Sequence, residues 1–267
     1  KNNIFEGIDT TWNRIKGGAA IGELIQRTLK EYDFKNPALS ISNLVKAYSM
    51  IQLLEDQHWK IIKIEELKKV IAACSGLYLE GVAENQTAIP NSTLNVKIEA
   101  INRSENSLVL KNIISMPEGK NTSFNSELKN NISLNTTLSI QLTDTVNYTN
   151  PYWLNEKGTV GMYRVDNQQN IGIPDVIREV KLVFNIEING ITIPFERNVI
   201  YKYNDPTKGE IYNPLDIVPE ITTSILDKVA LFNSGKSKTI SVKIKAGKEN
   251  EKGKLQRYSV KTGEFIS

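Results

Sequence analysis

A three-helix segment followed by an antiparallel, all-β region is the fold class this sequence predicts, in a multidomain chain. Three observations carry it. Apolar residues recur at helical spacing from about Gly17 to Ala83, the period changes to two after Ala83, and Asn189-Gly190 stands between two alternating runs as a hairpin turn. At 267 residues the chain approaches the length at which one core splits, so two or three domains are expected.

The first helix shows one apolar face in Ile21, Leu24, Ile25, Thr28, Leu29 and Tyr32, and the second in Leu44, Ala47, Tyr48, Ile51 and Leu54. The third shows Ile64, Leu67, Val70, Ile71, Cys74 and Leu77, with Glu65, Glu66, Lys68 and Lys69 turned outward. Asn36-Pro37 reads as a cap followed by proline at the first helical position, and Asp56-Gln57-His58 breaks the pattern before the last helix. Each helix has one stripe to bury, against its fellows or against a further neighbour.

Leu94, Val96, Ile98 and Ala100 then alternate with Asn95, Lys97 and Glu99, and Leu138, Ile140 and Leu142 with Ser139, Gln141 and Thr143. Val180 to Ile188 and Ile191 to Tyr201 flank Asn189-Gly190, which suits a type I′ turn. Residues 115–137, rich in Asn, Ser and Thr, read as a long loop or irregular edge. Short alternating strands without intervening helices predict an antiparallel sandwich of about one hundred residues. Ile225 to Phe232 and Ile240, Val242 and Ile244, around an Asn233-Ser234-Gly235 turn, predict a second β unit too short for a complete sandwich.

Between the two β blocks, Tyr201 to Ile221 reads as a hinge. Pro206, Pro214 and Pro219 each remove a donor and fix φ, Asp205 and Gly209 supply turn chemistry, and Tyr201, Tyr203 and Tyr212 supply aromatic surface at a boundary, with Glu210 beside them. The expected boundaries are 1–84 for a helical segment packing on a catalytic domain outside this sequence, 85–213 for a sandwich, and 214–267 for a smaller or truncated one.

A hydrophobic content of 40% and a charged content of 24% are those of a folded chain, and a net charge of +3 gives no call for nucleic acid. One cysteine, Cys74, makes neither an internal disulfide nor a thiolate zinc cluster. No apolar run reaches the roughly 18 residues of a membrane span. The sequence opens on Lys1 without a methionine and reads as a piece of something longer.

Candidate sites are sparse. His58 is the single histidine, which leaves too few imidazoles for a zinc hydrolase centre; beside Trp59 at a helix start, it reads as structural. Gly17-Gly18-Ala19-Ala20-Ile21-Gly22 lacks the spacing of a phosphate loop and no strand precedes it. Asp144, Asp166, Asp205 and Glu210 have no spacing that pairs them as a calcium site or glycosidase dyad. Lysines 236, 238, 243, 245, 248, 252 and 254 read as a soluble edge, and the Asn-x-Ser/Thr triplets at Asn91, Asn121 and Asn135 as a consequence of Asn-rich composition. Tyr152 and Trp153 form the aromatic pair best suited to stack on a sugar ring, against the plainer reading of a loop anchored by its aromatics.

Several stretches together resemble one family. Phe5-Glu6-Gly7-Ile8-Asp9-Thr10-Thr11-Trp12, Pro151-Tyr152-Trp153-Leu154 with Gly172-Ile173-Pro174, and Tyr201-Lys202-Tyr203-Asn204-Asp205-Pro206 with Gly209-Glu210 and Pro214-Leu215 are similar to the large PIG-L (LmbE-like) deacetylases of Bacteroidetes, in the region after their catalytic domain. That domain carries an Ala-His-Pro-Asp-Asp-Glu-type zinc motif, which this sequence lacks, so no catalytic residue carries over. The resemblance implies a helical linker, Ig-like β-sandwich modules, and a periplasmic or secreted parent that removes N-acetyl groups from amino sugars. It also implies no cofactor in this chain, zinc in the preceding domain, and as partners that deacetylase domain and a glycan. The resemblance weakens at Gly253-Lys254-Leu255-Gln256-Arg257-Tyr258, where such modules turn toward a Gly-Trp strand. The expectation is a non-catalytic accessory region that positions enzyme or substrate; the alternatives are a carbohydrate-binding sandwich or a hydrolase in its own right.

Overall fold

The computed structural model describes residues 6–174, 176–226, 229, 231 and 239–247, with the backbone of 257–258 and 265–266. Helix α1 (Ala19–Lys30) buries Ile21, Leu24 and Thr28, and the Thr28 hydroxyl donates to the Leu24 carbonyl at 2.8 Å. Helix α2 (Ile41–Gln52) follows a 3-10 turn opened by Pro37 and buries Ile41, Leu44, Val45, Ala47, Tyr48 and Ile51. Buried on so wide an arc, it is the middle helix, packed against both α1 and α3 (Gln57–Cys74). Helix α3 starts where the Asp56 carboxylate accepts from the Trp59 backbone N–H at 3.0 Å. Asp56→Ala is expected to lower stability by about 1 kcal/mol, read as a shift in the urea midpoint.

Two expectations for the helices need correction. Lys68 does not face outward: its stem is buried and its amine reaches Glu65 at 2.7 Å, one turn back. Leu29, Tyr32 and Val70, expected on the inward stripes, are exposed at 73%, 47% and 45%. The three helices bury their shared centre and leave this flank of α1 and α3 open.

The helical segment also ends earlier than residue 84. Strand β1 (Tyr78–Ala83) lies in the middle of a five-stranded sheet, beside β3 (Thr93–Ile101), to which it pairs from Tyr78↔Ile101 to Ala83↔Val96. Gly81 hides the strand signal, and packing requires that glycine: a Cβ there would fall 2.3 Å from Cδ1 of the buried Leu182. The rest of the sheet is β6 (Leu134–Gln141) on β3, and the hairpin of β9 (Ile200–Asp205) and β10 (Gly209–Pro214), joined to β1 by one parallel pairing, Val82↔Ile200.

The second sheet runs β5-β4-β7-β8, from β4 (Leu108–Met116), β5 (Lys120–Leu128), β7 (Lys181–Ile188) and β8 (Ile191–Asn198). The expected hairpin is β7–β8, with Asn189 and Gly190 both at positive φ, 50° and 78°. Residues 120–128, expected as loop, are the edge strand β5; its outward Asn and Ser residues are what an edge tolerates. A bulge between Leu110 and Asn112 breaks the two-residue period of β4. The Gly81–Leu182 approach sets the two sheets face to face, and Phe184, Phe195, Leu110, Ile98 and Ile140 are fully buried among them.

The helical layer closes one end of this pair of sheets. Leu108 of β4 pairs with Ile188 of β7 at that end, where the Asn106 amide donates to the Ala38 carbonyl and the Asn189 amide to the Ser42 hydroxyl, each at 3.1 Å. Helical and sheet residues belong to a single apolar cluster.

The expected boundary at 213–214 also moves. Leu215 and Ile217 are buried in the same cluster, and β11 (Asp216–Ile217) pairs in parallel with β2 (Thr87–Ala88). Beyond them, β12 (Ile221–Ile225) and β13 (Val242–Ala246) form an exposed antiparallel pair. Lys243 and Lys245 sit on β13; the Asn233-Ser234-Gly235 turn, Phe232 and the other lysines of the basic run lie outside the described residues.

Candidate functional site

His58, the second residue of α3, meets the Trp59 ring edge-on at 5.2 Å and has no cluster of ligands around it. Among the described residues, no three of His, Cys, Asp or Glu converge as metal ligands. Asp166 pairs with Arg164 at 2.9 Å, and Asp205 serves a turn; the four carboxylates singled out in the sequence are not gathered. The glycine run has a packing role. A Cβ on Gly18, which caps α1, would lie 2.2 Å from the Trp12 carbonyl oxygen, and one on Gly22 would lie 3.0 Å from the Trp12 Cβ. The glycines seat Trp12.

Tyr152 and Trp153 fall in a short 3-10 turn (Tyr152–Leu154) of the long connection between β6 and β7. Their rings pack edge to face at 4.9 Å, both half-buried, and the Tyr152 hydroxyl accepts from the Gly172 N–H at 3.3 Å. That brings together two of the resemblance motifs, Pro151 to Leu154 and Gly172 to Pro174, as one folded loop. The loop is pinned to β11: Thr149 exchanges hydrogen bonds with Ile217 at 2.9 and 2.8 Å, and Arg178 reaches Asp216 at 2.7 Å.

The stretch 201–214, expected as a hinge, is a regular hairpin. Asp205 faces Gly209 across a three-residue loop in which the Asp205 carboxylate accepts from the Thr207 N–H and hydroxyl and the Lys208 N–H, at 2.8, 2.7 and 2.9 Å. Gly209 takes φ 79°, as such loops need. Pro206 fits the loop, and Pro214 ends the sheet-edge strand β10, so neither proline breaks the pairing.

The hairpin carries a polar network that reaches into the sheet. Lys202 on β9 donates to the buried Glu80 carboxylate of β1 at 2.7 Å and lies 3.4 Å from Glu210, which accepts a hydrogen bond from the Tyr212 hydroxyl. Tyr201 and Tyr203 stack at 6.0 Å on alternate positions of β9. Sequence spacing could not pair Glu80 with a lysine 122 positions away.

Protonation follows from that network. The hydrogen bond to Glu80 raises the Lys202 ammonium above its ordinary value, and burial, with a hydrogen bond to Glu80, raises the Tyr78 hydroxyl. A group whose folded value lies above its unfolded one stabilises below the unfolded value, so both contributions are complete below about pH 10 and are lost as pH climbs. Thermal melts are therefore expected to hold steady up to about pH 10 and to fall beyond it, a fall reduced in Lys202→Met. Asp205, lowered chiefly by its bond from Thr207, works in the other direction, its contribution lost as pH falls through its depressed value.

A second feature is apolar. Ile25, Leu29, Tyr32, Leu44, Val70 and Cys74 line an open groove of about 390 Å³ between the helices, and burial pushes the Cys74 thiol up. No helix among the described residues is long and apolar enough to cross a membrane.

No family model matches the chain, and no curated protein matches it. Among solved structures, the chain is similar at 9% identity and a TM-score of 0.23 to the Pseudomonas fluorescens alkylpurine DNA glycosylase AlkC bound to DNA containing an abasic site analog. The match covers 60% of this chain and 44% of that one, and likeness at that level transfers neither fold nor activity.

Proposed function

We propose that this chain is a non-catalytic accessory region of an exported PIG-L-type amino-sugar N-deacetylase, its two facing sheets an Ig-like sandwich that holds the enzyme's parts in place. The observation that carries the reading is the contact of the helical layer with the sheets through Asn106–Ala38, Asn189–Ser42 and a shared apolar cluster. A positional role needs stiffness, because a neighbour bound to one face of a stiff body is held at a defined place relative to the other faces. The resemblance of the motifs at 5–12, 151–174 and 201–215 supplies the identity of that neighbour, a zinc deacetylase domain.

The open groove on α1 and α3, with Leu29 and Tyr32 at its rim, is the surface the deacetylase domain would cover. On the resemblance, the zinc chemistry is assigned to that other domain and no step of it to this chain. Tyr152 is engaged with Trp153 and Gly172, which favours a loop-anchoring part for this pair over sugar contact.

The test is association in trans. This chain and the separately produced deacetylase domain of the same protein are expected to co-sediment, and Leu29→Glu to abolish it. Independent sedimentation of the two, or metal-dependent release of acetate from an N-acetylated sugar by this chain alone, would overturn the reading.

A further inference from the structure

Trp12 and Trp59 are both packed against the core on one side and open on the other, where with Ile15 they line a notch of about 290 Å³. The two indoles are held in advance of any ligand. The Trp12 indole lies against Gly22, where a side chain would press on it, with Gly18 making room for the Trp12 carbonyl, and the Trp59 ring, whose backbone is set by the Asp56 cap, packs on the core and meets the edge of His58. Rigid aromatic surface of this kind loses little freedom on binding.

Two cations complete the notch. The Arg14 guanidinium lies 5.0 Å from the Trp59 ring centroid and the Lys63 amine 5.7 Å. Lys63 is answered by Glu66 at 2.7 Å. Arg14 has no ion-pair partner among the described residues; the acid nearest in effect is Asp9, whose carboxylate is already engaged by the Thr11 N–H at 2.8 Å and hydroxyl at 2.6 Å. A guanidinium stacked on an indole keeps its fork of N–H donors at the ring's margin, where a carboxylate, sulfate or phosphate is received by two parallel bonds.

We propose that this notch binds one residue of an anionic saccharide, its ring against the Trp12 indole and its charged group on Arg14. A single pyranose fits the volume, aromatic walls suit the apolar face of such a ring, and a guanidinium that no carboxylate meets in an ion pair among the described residues selects for an acidic one. The site lies in the helical layer, away from the Tyr152–Trp153 loop, and does not depend on the deacetylase reading.

The test follows tryptophan fluorescence as tetragalacturonate, neutral cellotetraose or inorganic phosphate is added to the full chain. A Trp153→Phe background leaves only Trp12 and Trp59 to report. Tetragalacturonate is expected to shift the emission and cellotetraose to leave it unchanged, with phosphate weaker than tetragalacturonate. Arg14→Gln should weaken tetragalacturonate by at least about tenfold, while Arg164→Gln, an exposed arginine elsewhere, leaves it unchanged. Equal response to the neutral sugar, phosphate binding as tightly as tetragalacturonate, no response at millimolar sugar, or undiminished binding in Arg14→Gln would each overturn the proposal.

Discussion

Asn102→Ala is expected to cost about 4 kcal/mol in a urea titration, since buried donors and acceptors left unpaired lose about 1–3 kcal/mol each. Asn102 is 1% exposed, and its side chain holds four groups. Its amide donates to the carbonyls of Asn106 and Leu128 at 2.9 and 3.0 Å, and its Oδ1 accepts from the Ser104 N–H and hydroxyl at 3.0 and 2.8 Å. These bonds shape the turn that places Asn106 against Ala38, so the loss reaches the joint between sheets and helices. Lys97→Ala, on the exposed side of β3, should stay within about 0.5 kcal/mol of wild type.

Lys202→Met is expected to cost about 3 kcal/mol, because it strands the Glu80 carboxylate inside the sheet without its cation. The pair itself need not stabilise: two charges withdrawn from water recover little net energy even when well placed. The double variant Glu80→Leu with Lys202→Met should therefore regain most of the loss, giving a coupling of about 2 kcal/mol in the double-mutant cycle. Additive losses would mean that Lys202 acts through its stem and its contact with the Tyr212 ring at 5.7 Å.

Where a segment's own pattern decides its structure, the sequence was legible. Helix α2, the β7–β8 hairpin with its Asn-Gly turn, and the alternation in β3 and β6 all appear where spacing places them. The misreadings have local causes. Gly81 interrupts β1 because Leu182 needs its space, the bulge in β4 spoils the alternation, and β5 is polar because it is an edge. The three prolines after Tyr201 suggested a hinge, yet Pro206 belongs to a tight loop and Pro214 closes an edge strand. Proline marks the absence of a donor, and an edge strand can spare one.

The functional features were less legible, because they join distant positions. Nothing near Glu80 announces Lys202, and nothing near Trp12 announces that Trp59 will face the same notch. The glycine run at residues 17–22 is conspicuous in the sequence, but nothing local shows that Gly22 makes room for an indole. By contrast, the exposed flank of α1 and α3 could have been anticipated: three helices had more apolar stripe than mutual packing consumes.

The stiffness of the whole body is the property on which a positioning role rests, and one titration reads it directly. In the Trp153→Phe variant, indole emission reports the helical layer through Trp12 and Trp59, while far-ultraviolet circular dichroism reports strands and helices together. One shared midpoint in urea is the expected result. An emission change completed at lower urea than the loss of β signal would show helices that come away on their own, and would contradict the account.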